Sequence, residues 1–171
     1  MIMGDLSSEQ KLLDSMKERF SVSGRVQREK RVIVPIKKED VVSVCSWLQE
    51  QGFVHLSSIS AIDWLKENVF EVTYHLWSYD QHMIVAIKTK IPRDNPVTAS
   101  LCPVYDNNAQ IHEREIHELF GITFQGNPDL SPLFVEDWEG PPAFRRDFDW
   151  KQYVQEKYYH TDRAREKGYY D

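Results

Sequence analysis

The chain has 171 residues, of which 41% are hydrophobic and 28% are charged, and its formal net charge is −6. This length suits one domain with its own hydrophobic core, and the composition excludes wholesale disorder. The acidic balance argues against a nucleic-acid partner, because phosphate binding needs clustered Lys and Arg. No apolar run is long enough to span a bilayer. The two cysteines, Cys45 and Cys102, show no CxxC spacing and are expected to be reduced thiols in an intracellular protein.

The first third of the chain predicts a helix, a pair of strands and a second helix. Ser7 to Arg19 begins with a capping sequence and has a helical apolar stripe. Arg31 to Ile36 is rich in β-branched residues and predicts a strand, and Ser21 to Lys30 can pair with it as an edge strand. Lys38 to Gln51 changes to a helical period, and Gly52 is its end signal.

Three strand-like segments and a short helix are predicted next. Phe53 to Asp63 is β-prone, and Val69 to Trp77 and Met83 to Ile91 alternate apolar and polar residues. The short connection between the last two predicts an antiparallel hairpin. Pro96 to Leu101 predicts a short helix, because Pro suits the first helical turn and Pro103 would then end it.

A charged amphipathic helix is predicted from Asn108 to Phe120, with Gly121 as its end. The fold class is therefore α+β: a mostly antiparallel sheet of about four strands, covered by helices on one side, with an extended C-terminal docking segment. We divide the chain into an α+β domain over residues 1–120 and an extended arm and tail over residues 121–171. The tail is expected to contain a short helix followed by a solvated end beyond about Thr161.

The arm, which is the stretch after Gly121, has neither a helical nor a strand period. Side chains such as Phe134, Trp138 and Phe148 are too apolar to remain in water, and four prolines forbid a continuous helix or a central strand. The arm must therefore lie over its own domain or over another protein. Composition leaves these two alternatives open.

The charged helix invites a catalytic interpretation that its spacing does not favour. His112 and His117 are five residues apart, which places the imidazoles on different sides of a helix, whereas zinc proteases need a spacing of four. Arg114 and Glu118 are four apart and are predicted to pair along a solvated or docking face. No nucleophile with an adjacent base and no cofactor motif is recognisable, so we assign no catalytic, cofactor or metal residue. The alternative from another functional class is a free-standing metal-dependent hydrolase that uses His112, Glu113, Glu115 and His117.

Four motifs follow one another between His112 and Asp149. They are a Glu-Arg-Glu helix at 113–115, a Glu-Leu-Phe-Gly end at 118–121, a Gly-x-Pro-Asp-Leu turn at 126–130, and a segment that runs from Trp138 to Arg-Arg-Asp-Phe at 145–148. In this order they resemble the signature region of the thirty-kilodalton subunit of respiratory complex I. Related subunits occur in the membrane-bound nickel-iron hydrogenases and their sulfur-reducing relatives.

The resemblance implies a non-catalytic structural and assembly subunit in the peripheral arm of a membrane-bound oxidoreductase, on the cytoplasmic side. It implies two partners, the large subunit related to the nickel-iron hydrogenase catalytic subunit and the small iron-sulfur subunit. No cofactor is expected in this chain, while iron-sulfur clusters and a nickel-iron site would lie in partner subunits. The residues implied in partner binding are Glu113, Arg114, Glu115, Phe120, Gly126, Pro128, Asp129, Leu130, Trp138, Arg145, Arg146 and Asp147.

Three positions depart from the usual respiratory signature. Asn127 replaces a basic residue, Ser131 replaces a basic residue or Pro, and Asp149 replaces a Pro. These departures favour a hydrogenase-like or ferredoxin-linked complex by analogy. The equivalent subunit of an NADH:quinone oxidoreductase is the alternative.

Overall fold

The computed structural model describes residues 7–135 and 137–159. In chain order the elements are α1 (Ser8–Phe20), β1 (Arg25–Arg28), β2 (Arg31–Ile36), α2 (Val41–Glu50), β3 (His55–Trp64), β4 (Val69–Ser78), β5 (Met83–Pro92), β6 (Val97–Ala99), α3 (Cys102–Phe120), β7 (Thr123–Gln125) and α4 (Trp150–Tyr158). Short 3-10 turns at Lys38–Asp40 and Leu65–Glu67 precede α2 and follow β3.

Strands β1 to β5 form one mixed sheet in the order β1-β2-β5-β4-β3. The predicted α+β class and the β4–β5 hairpin are confirmed, as is the edge strand before Arg31. Three of the four pairings are antiparallel, but β2 and β5 are parallel, so that the sheet is mixed and has five strands rather than about four. A parallel pair needs a long crossover, which here carries α2 and the next two strands.

Helices α1, α2 and α3 pack on one face of the sheet and form the core with it. Successive side chains of a strand point to opposite faces, so every second residue enters this core. Val34, Ile87 and Tyr74 are neighbours across β2, β5 and β4, and all three are fully buried. Val44 and Leu48 of α2 belong to the same buried cluster. Helix α4 contributes no buried residue.

The predicted short helix from Pro96 to Leu101 is wrong. Val97–Ala99 is strand β6, which pairs in parallel with β7 and has the β-branched residues that favour a strand. Pro103 lies in the first turn of α3 and does not end a helix. Helix α3 is broken at Asp106, where φ is 48° and ψ is −135°, so its regular part begins close to the predicted start.

The hydrophobic core continues into the arm. Gly121 ends α3 with a φ of 75°, as predicted, and the chain then turns back to form β7. Ile122 is fully buried and Phe124 is 1% exposed, so the core extends past Phe120. Asp149 caps α4 by accepting from two backbone N–H groups of its first turn. The solvated end predicted beyond Thr161 lies outside the described residues.

Candidate functional site

Glu113 lies on the side of α3 that faces the core, and it is fully buried. Its Oε1 accepts a hydrogen bond of 2.6 Å from the backbone N–H of Leu101, and its Oε2 accepts one of 2.7 Å from the hydroxyl of Ser100. The side-chain amide of Asn127 donates a third, of 2.9 Å, to Oε2. Burial raises the pKa of Glu113, and the donors oppose that rise because they stabilise the charged form. Glu113 therefore joins the segment before α3 to the start of the arm.

Arg114, the next residue, points out of the core and holds the main chain of the arm. Its guanidinium donates to the carbonyl oxygen of Ser131 at 3.0 Å and to that of Pro132 at 2.8 Å. It also lies 3.5 Å from a carboxylate oxygen of Asp129. A planar guanidinium can satisfy several acceptors at once, which makes Arg114 a clamp on this turn.

Glu118, one helical turn after Arg114, holds the next part of the arm. Its carboxylate accepts hydrogen bonds from the backbone N–H groups of Leu133 at 3.0 Å, Phe134 at 3.0 Å and Val135 at 2.8 Å. The predicted Arg114–Glu118 pair is therefore wrong. Both side chains bind the arm's backbone instead, since a segment without regular structure has backbone donors and acceptors to satisfy.

The turn at 126–131 is built by short side chains that bond to nearby backbone. Gly126 has a φ of 98°, a conformation that disfavours residues with a Cβ. The side-chain oxygen of Asn127 accepts from the N–H of Asp129 at 2.9 Å, and that of Asp129 accepts from the N–H of Ser131 at 2.9 Å. Hydrogen bonds from Ser131 lower the pKa of Asp129. Asn127 thus shapes the turn while it bonds to Glu113.

The far end of the arm is attached to the sheet by a charged cluster around Arg93, which follows β5 and is 7% exposed. Its Nε lies 2.8 Å from Oδ1 of Asp63, and its Nη2 donates to Oδ1 of Asp147 at 2.7 Å. The backbone N–H of Arg146 donates to Oδ2 of Asp63 at 2.9 Å. The guanidinium of Arg145 lies over the ring of Phe70 at 5.6 Å. We call these residues the Arg93 cluster.

Trp138 is the centre of an aromatic group within the arm. Its ring lies 5.9 Å from that of Phe148 and 5.2 Å from that of Tyr153 in α4. Its indole N–H donates to the carbonyl oxygen of Pro141 at 2.8 Å. A Cβ on Gly140 would come within 2.6 Å of the indole, so the close turn requires glycine. Trp138 therefore fixes the shape of the arm from within.

Large apolar side chains remain exposed on the arm after these contacts are made. Phe134 is 64% exposed and Phe144 is 58% exposed, and Trp150 at the start of α4 is 54% exposed. A groove of about 350 Å³ separates the arm from the end of α3. Its apolar lining includes Leu130, Pro132, Val135, Trp138 and Pro142. Exposed aromatics beside an apolar groove are the usual composition of a protein interface.

The histidines and carboxylates of α3 do not form a metal site with one another or with other described residues. Nδ1 of His117 lies 2.9 Å from the carbonyl oxygen of Ile122, which follows the helix. Burial lowers the pKa of His112. Within residues 7–135 and 137–159, no three His, Cys, Asp or Glu side chains are arranged to hold a metal ion.

The twelve residues predicted to bind a partner differ in how far their side chains are exposed to solvent. Glu113 and Phe120 are buried in the domain, so the structure gives them internal contacts. The half-buried members are Arg114, Glu115, Asp129, Leu130, Trp138 and Arg145, and the exposed members are Gly126, Pro128, Arg146 and Asp147. Direct contact of these residues with a partner stays a prediction.

Sequence reasoning missed four residues that hold the arm. The helical spacing predicts a pair on the helix surface for Glu118, and Asn127 stands out only as a departure from the family motif. Asp63 and Arg93 lie at the ends of strands and were not singled out. A carboxylate in an apolar strand was the available signal, because buried charges are paired with others.

The sequence model of the family described as the 30 kDa subunit of respiratory-chain NADH dehydrogenase matches residues 34–154. A subunit of the F(420)H(2) dehydrogenase of Methanosarcina mazei is 36% identical over 121 residues, which are 70% of this chain and 76% of that protein. A subunit of the NADH-quinone oxidoreductase of Geotalea uraniireducens is 30% identical over 151 residues, which are 85% of this chain and 91% of that protein.

A solved structure agrees with these relatives. One chain of the membrane-bound sulfane sulfur reductase, an archaeal respiratory membrane complex, superposes with a TM-score of 0.81 and 30% identity. The match covers 91% of this chain and 93% of that one. The protein belongs to the family of the 30 kDa subunit of complex I, and the predicted resemblance is confirmed. Among the described residues, no helix has the length and apolar character to cross a membrane.

Proposed function

We propose that this chain is a non-catalytic structural and assembly subunit of a membrane-bound, complex I-like oxidoreductase. The observation that carries the proposal is the likeness to a chain of the sulfane sulfur reductase, which extends over nine-tenths of both proteins. The role of this chain in the proposal is to present the arm to the large subunit related to the nickel-iron hydrogenase catalytic subunit. The iron-sulfur clusters and any nickel-iron site belong to partner subunits.

The arm suits this role because its backbone is fixed while its apolar side chains are free. Arg114 and Glu118 hold the main chain of residues 131–135, and the Arg93 cluster holds residues 145–147. The side chain of Phe134 within the first attachment and that of Phe144 between the two attachments remain exposed. A preorganised surface binds more tightly than a flexible one, since less conformational entropy is lost on association.

The same comparisons bear on the kind of complex. The likeness to the sulfane sulfur reductase and to the F(420)H(2) dehydrogenase protein supports a membrane complex that need not be an NADH:quinone oxidoreductase. By analogy we assign the chain to a hydrogenase-like or ferredoxin-linked complex on the cytoplasmic side of the membrane. The equivalent subunit of an NADH:quinone oxidoreductase is the second candidate, because the Geotalea protein matches over most of both chains.

Co-purification from solubilised membranes tests the proposal. A tagged chain is expected to recover a large subunit, and Phe134→Ser with Trp150→Ser is expected to reduce that recovery about tenfold or more, the effect of losing aromatic anchors. Val54→Ser is the matched control, since Val54 is 57% exposed and lies before β3. Unchanged recovery with the double variant, or no co-purifying large subunit with the wild type, contradicts the proposal.

A further inference from the structure

The face of the sheet opposite the helices is basic although the chain as a whole is acidic. Pairing and alternation place the side chains of Arg25, Arg28 and Arg31 on this face, together with Lys88 and Lys90. Glu71 is the one acidic residue that the described strands β1–β5 place there. The net charge of the chain is −6, so positive charge is concentrated on this open face.

The part of the chain that the structure describes provides no opposite charge for the arginines of the open face. Lys88 pairs with Glu71 at 2.7 Å and Lys90 pairs with Glu67 at 2.6 Å. Within the described residues, no ion pair is formed by Arg25, Arg28 or Arg31.

Two of these arginines also oppose each other. Arg28 lies directly opposite Arg31 across β1 and β2, an arrangement of like charges that destabilises a sheet. Nε of Arg31 is buried and has no hydrogen-bond partner in the described residues. Both features are unfavourable, and an acidic partner on the open face would relieve the repulsion between the two arginines.

The open face also has a shape that can hold a segment of chain. A groove of about 520 Å³ runs past Pro35 and Ile36, and its charged lining consists of Lys37, Lys38, Lys88 and Lys90 together with Glu39 and Glu71. A second groove, of about 380 Å³, shares Pro35 and Lys88 with the first. The basic residues that line the two grooves outnumber the two carboxylates, and with the apolar floors this excess fits side chains of alternating apolar and acidic character.

We propose that the open face of the sheet is a second docking surface, which binds an acidic, partly apolar segment of another protein subunit. The surface lies on the other side of the sheet from helix α3, which packs into the core and carries the arm. An ordered protein segment is favoured over a lipid surface, because the apolar part of this face lies in recessed grooves bordered by charge. The proposal rests on the proposed function only in requiring a multi-subunit complex.

Cross-linking of the intact complex tests this surface. The detergent-purified complex is treated with a water-soluble carbodiimide, which joins lysine amines to adjacent carboxylates, and separately with an amine-acetylating reagent. Lys37 and Lys38 are expected to become joined to Asp or Glu residues of one other subunit. They are also expected to be acetylated about tenfold more slowly than in the free chain, while Lys17 of α1 reacts equally in both.

A double variant with reversed charge provides a second, independent test of the open face. Arg25→Glu with Arg28→Glu is expected to abolish the cross-link, whereas Lys17→Glu with Arg19→Glu, which changes the net charge equally, leaves it intact. Urea unfolding of the free chains confirms that both variants fold.

Two results would overturn the second docking surface. One is equal acetylation of Lys37 and Lys38 in the complex and in the free chain. The other is protection of these lysines only on phosphatidylglycerol vesicles, which would assign the face to a membrane. Loss of co-purification of the wild-type chain would instead contradict the proposed function, so the two failures are distinguishable.

Discussion

At the residue scale, Glu9 shows how one carboxylate connects distant parts of the domain. Its Oε1 accepts a hydrogen bond of 2.8 Å from the backbone N–H of Lys30, and this bond joins α1 to the turn between β1 and β2. The same bond is the main cause that lowers the pKa of Glu9 from 4.5 to about 2. A lowered pKa means that the unfolded chain binds the proton more tightly, so Glu9 stabilises the fold above pH 4.5 and loses this effect towards pH 2.

Glu9→Gln tests this pH dependence, because glutamine keeps the shape and an acceptor oxygen but has no charge. The variant should be less stable than the wild type by about 1 kcal/mol at pH 7, and the difference should disappear as the pH falls towards about 2. Urea unfolding at several pH values measures it. Glu18→Gln, on the exposed side of the same helix, should show no such convergence. A constant difference across this range would refute the assignment.

Glu113 gives a larger effect at the same scale, because it is buried among hydrogen-bond donors. Glu113→Gln places an amide N–H₂ where Leu101, Ser100 and Asn127 donate, and should reduce the free energy of unfolding by about 1–3 kcal/mol. Chemical denaturation measures this change, and Glu115→Gln on the same helix is the matched control. Equal stability of the two variants would show that the Glu113 network does not hold the domain.

At the scale of elements, helix α3 acts as the support on which the arm is laid. Glu118→Ala removes the acceptor of three consecutive backbone N–H groups and should release residues 133–135 while the sheet stays folded. The amides of Leu133, Phe134 and Val135 should then exchange hydrogen faster, by about tenfold to a hundredfold, and limited proteolysis should cut there first. Glu115→Ala should leave both measurements unchanged. Unaltered exchange at Leu133 to Val135 in Glu118→Ala would contradict this role.

The elements that could be predicted from the sequence are those with a local period. Helices α1 and α2 and the β4–β5 hairpin have such periods, and their predicted bounds lie within a few residues of the observed ones. Strands β6 and β7 are three residues each, too short to show a period, and their pairing joins positions far apart in sequence. The parallel pairing of β2 with β5 also joins positions far apart in sequence, so no local pattern predicts it.

The sequence predicts which stretch of the chain contains the candidate site, but not which residues of that stretch contact one another. Motifs identified the residues between His112 and Asp149, while the partners of Arg114 and Glu118 depend on where the aperiodic arm lies. A helical spacing of four made their mutual pairing the local expectation. Backbone groups of the arm compete for the same side chains, and this competition is visible only in three dimensions.

At the scale of the whole molecule, burial predicts that the smallest folded unit ends after β7 rather than after α3. A chain that ends at Phe120 lacks the buried Ile122 and Phe124, whose burial stabilises by about 3–6 kcal/mol together. A chain that ends at Asn127 keeps both residues and the hydrogen bond to Glu113. We therefore expect residues 1–127 to unfold cooperatively on heating and residues 1–120 to be largely unfolded at 25 °C, as circular dichroism will measure. Equal melting curves would contradict this boundary.

The position of β5 in the middle of the sheet affects how the chain can fold during its synthesis on the ribosome. Strand β2 is complete at Ile36, but its parallel neighbour ends only at Pro92. During synthesis the edge of β2 that later pairs with β5 therefore stays unpaired until more than half of the chain has left the ribosome. An edge left open for that interval can pair with other nascent chains. The early basic residues Arg25, Arg28 and Arg31 repel a second copy of the same strands, so the charge of this region also protects the unfinished chain from aggregation.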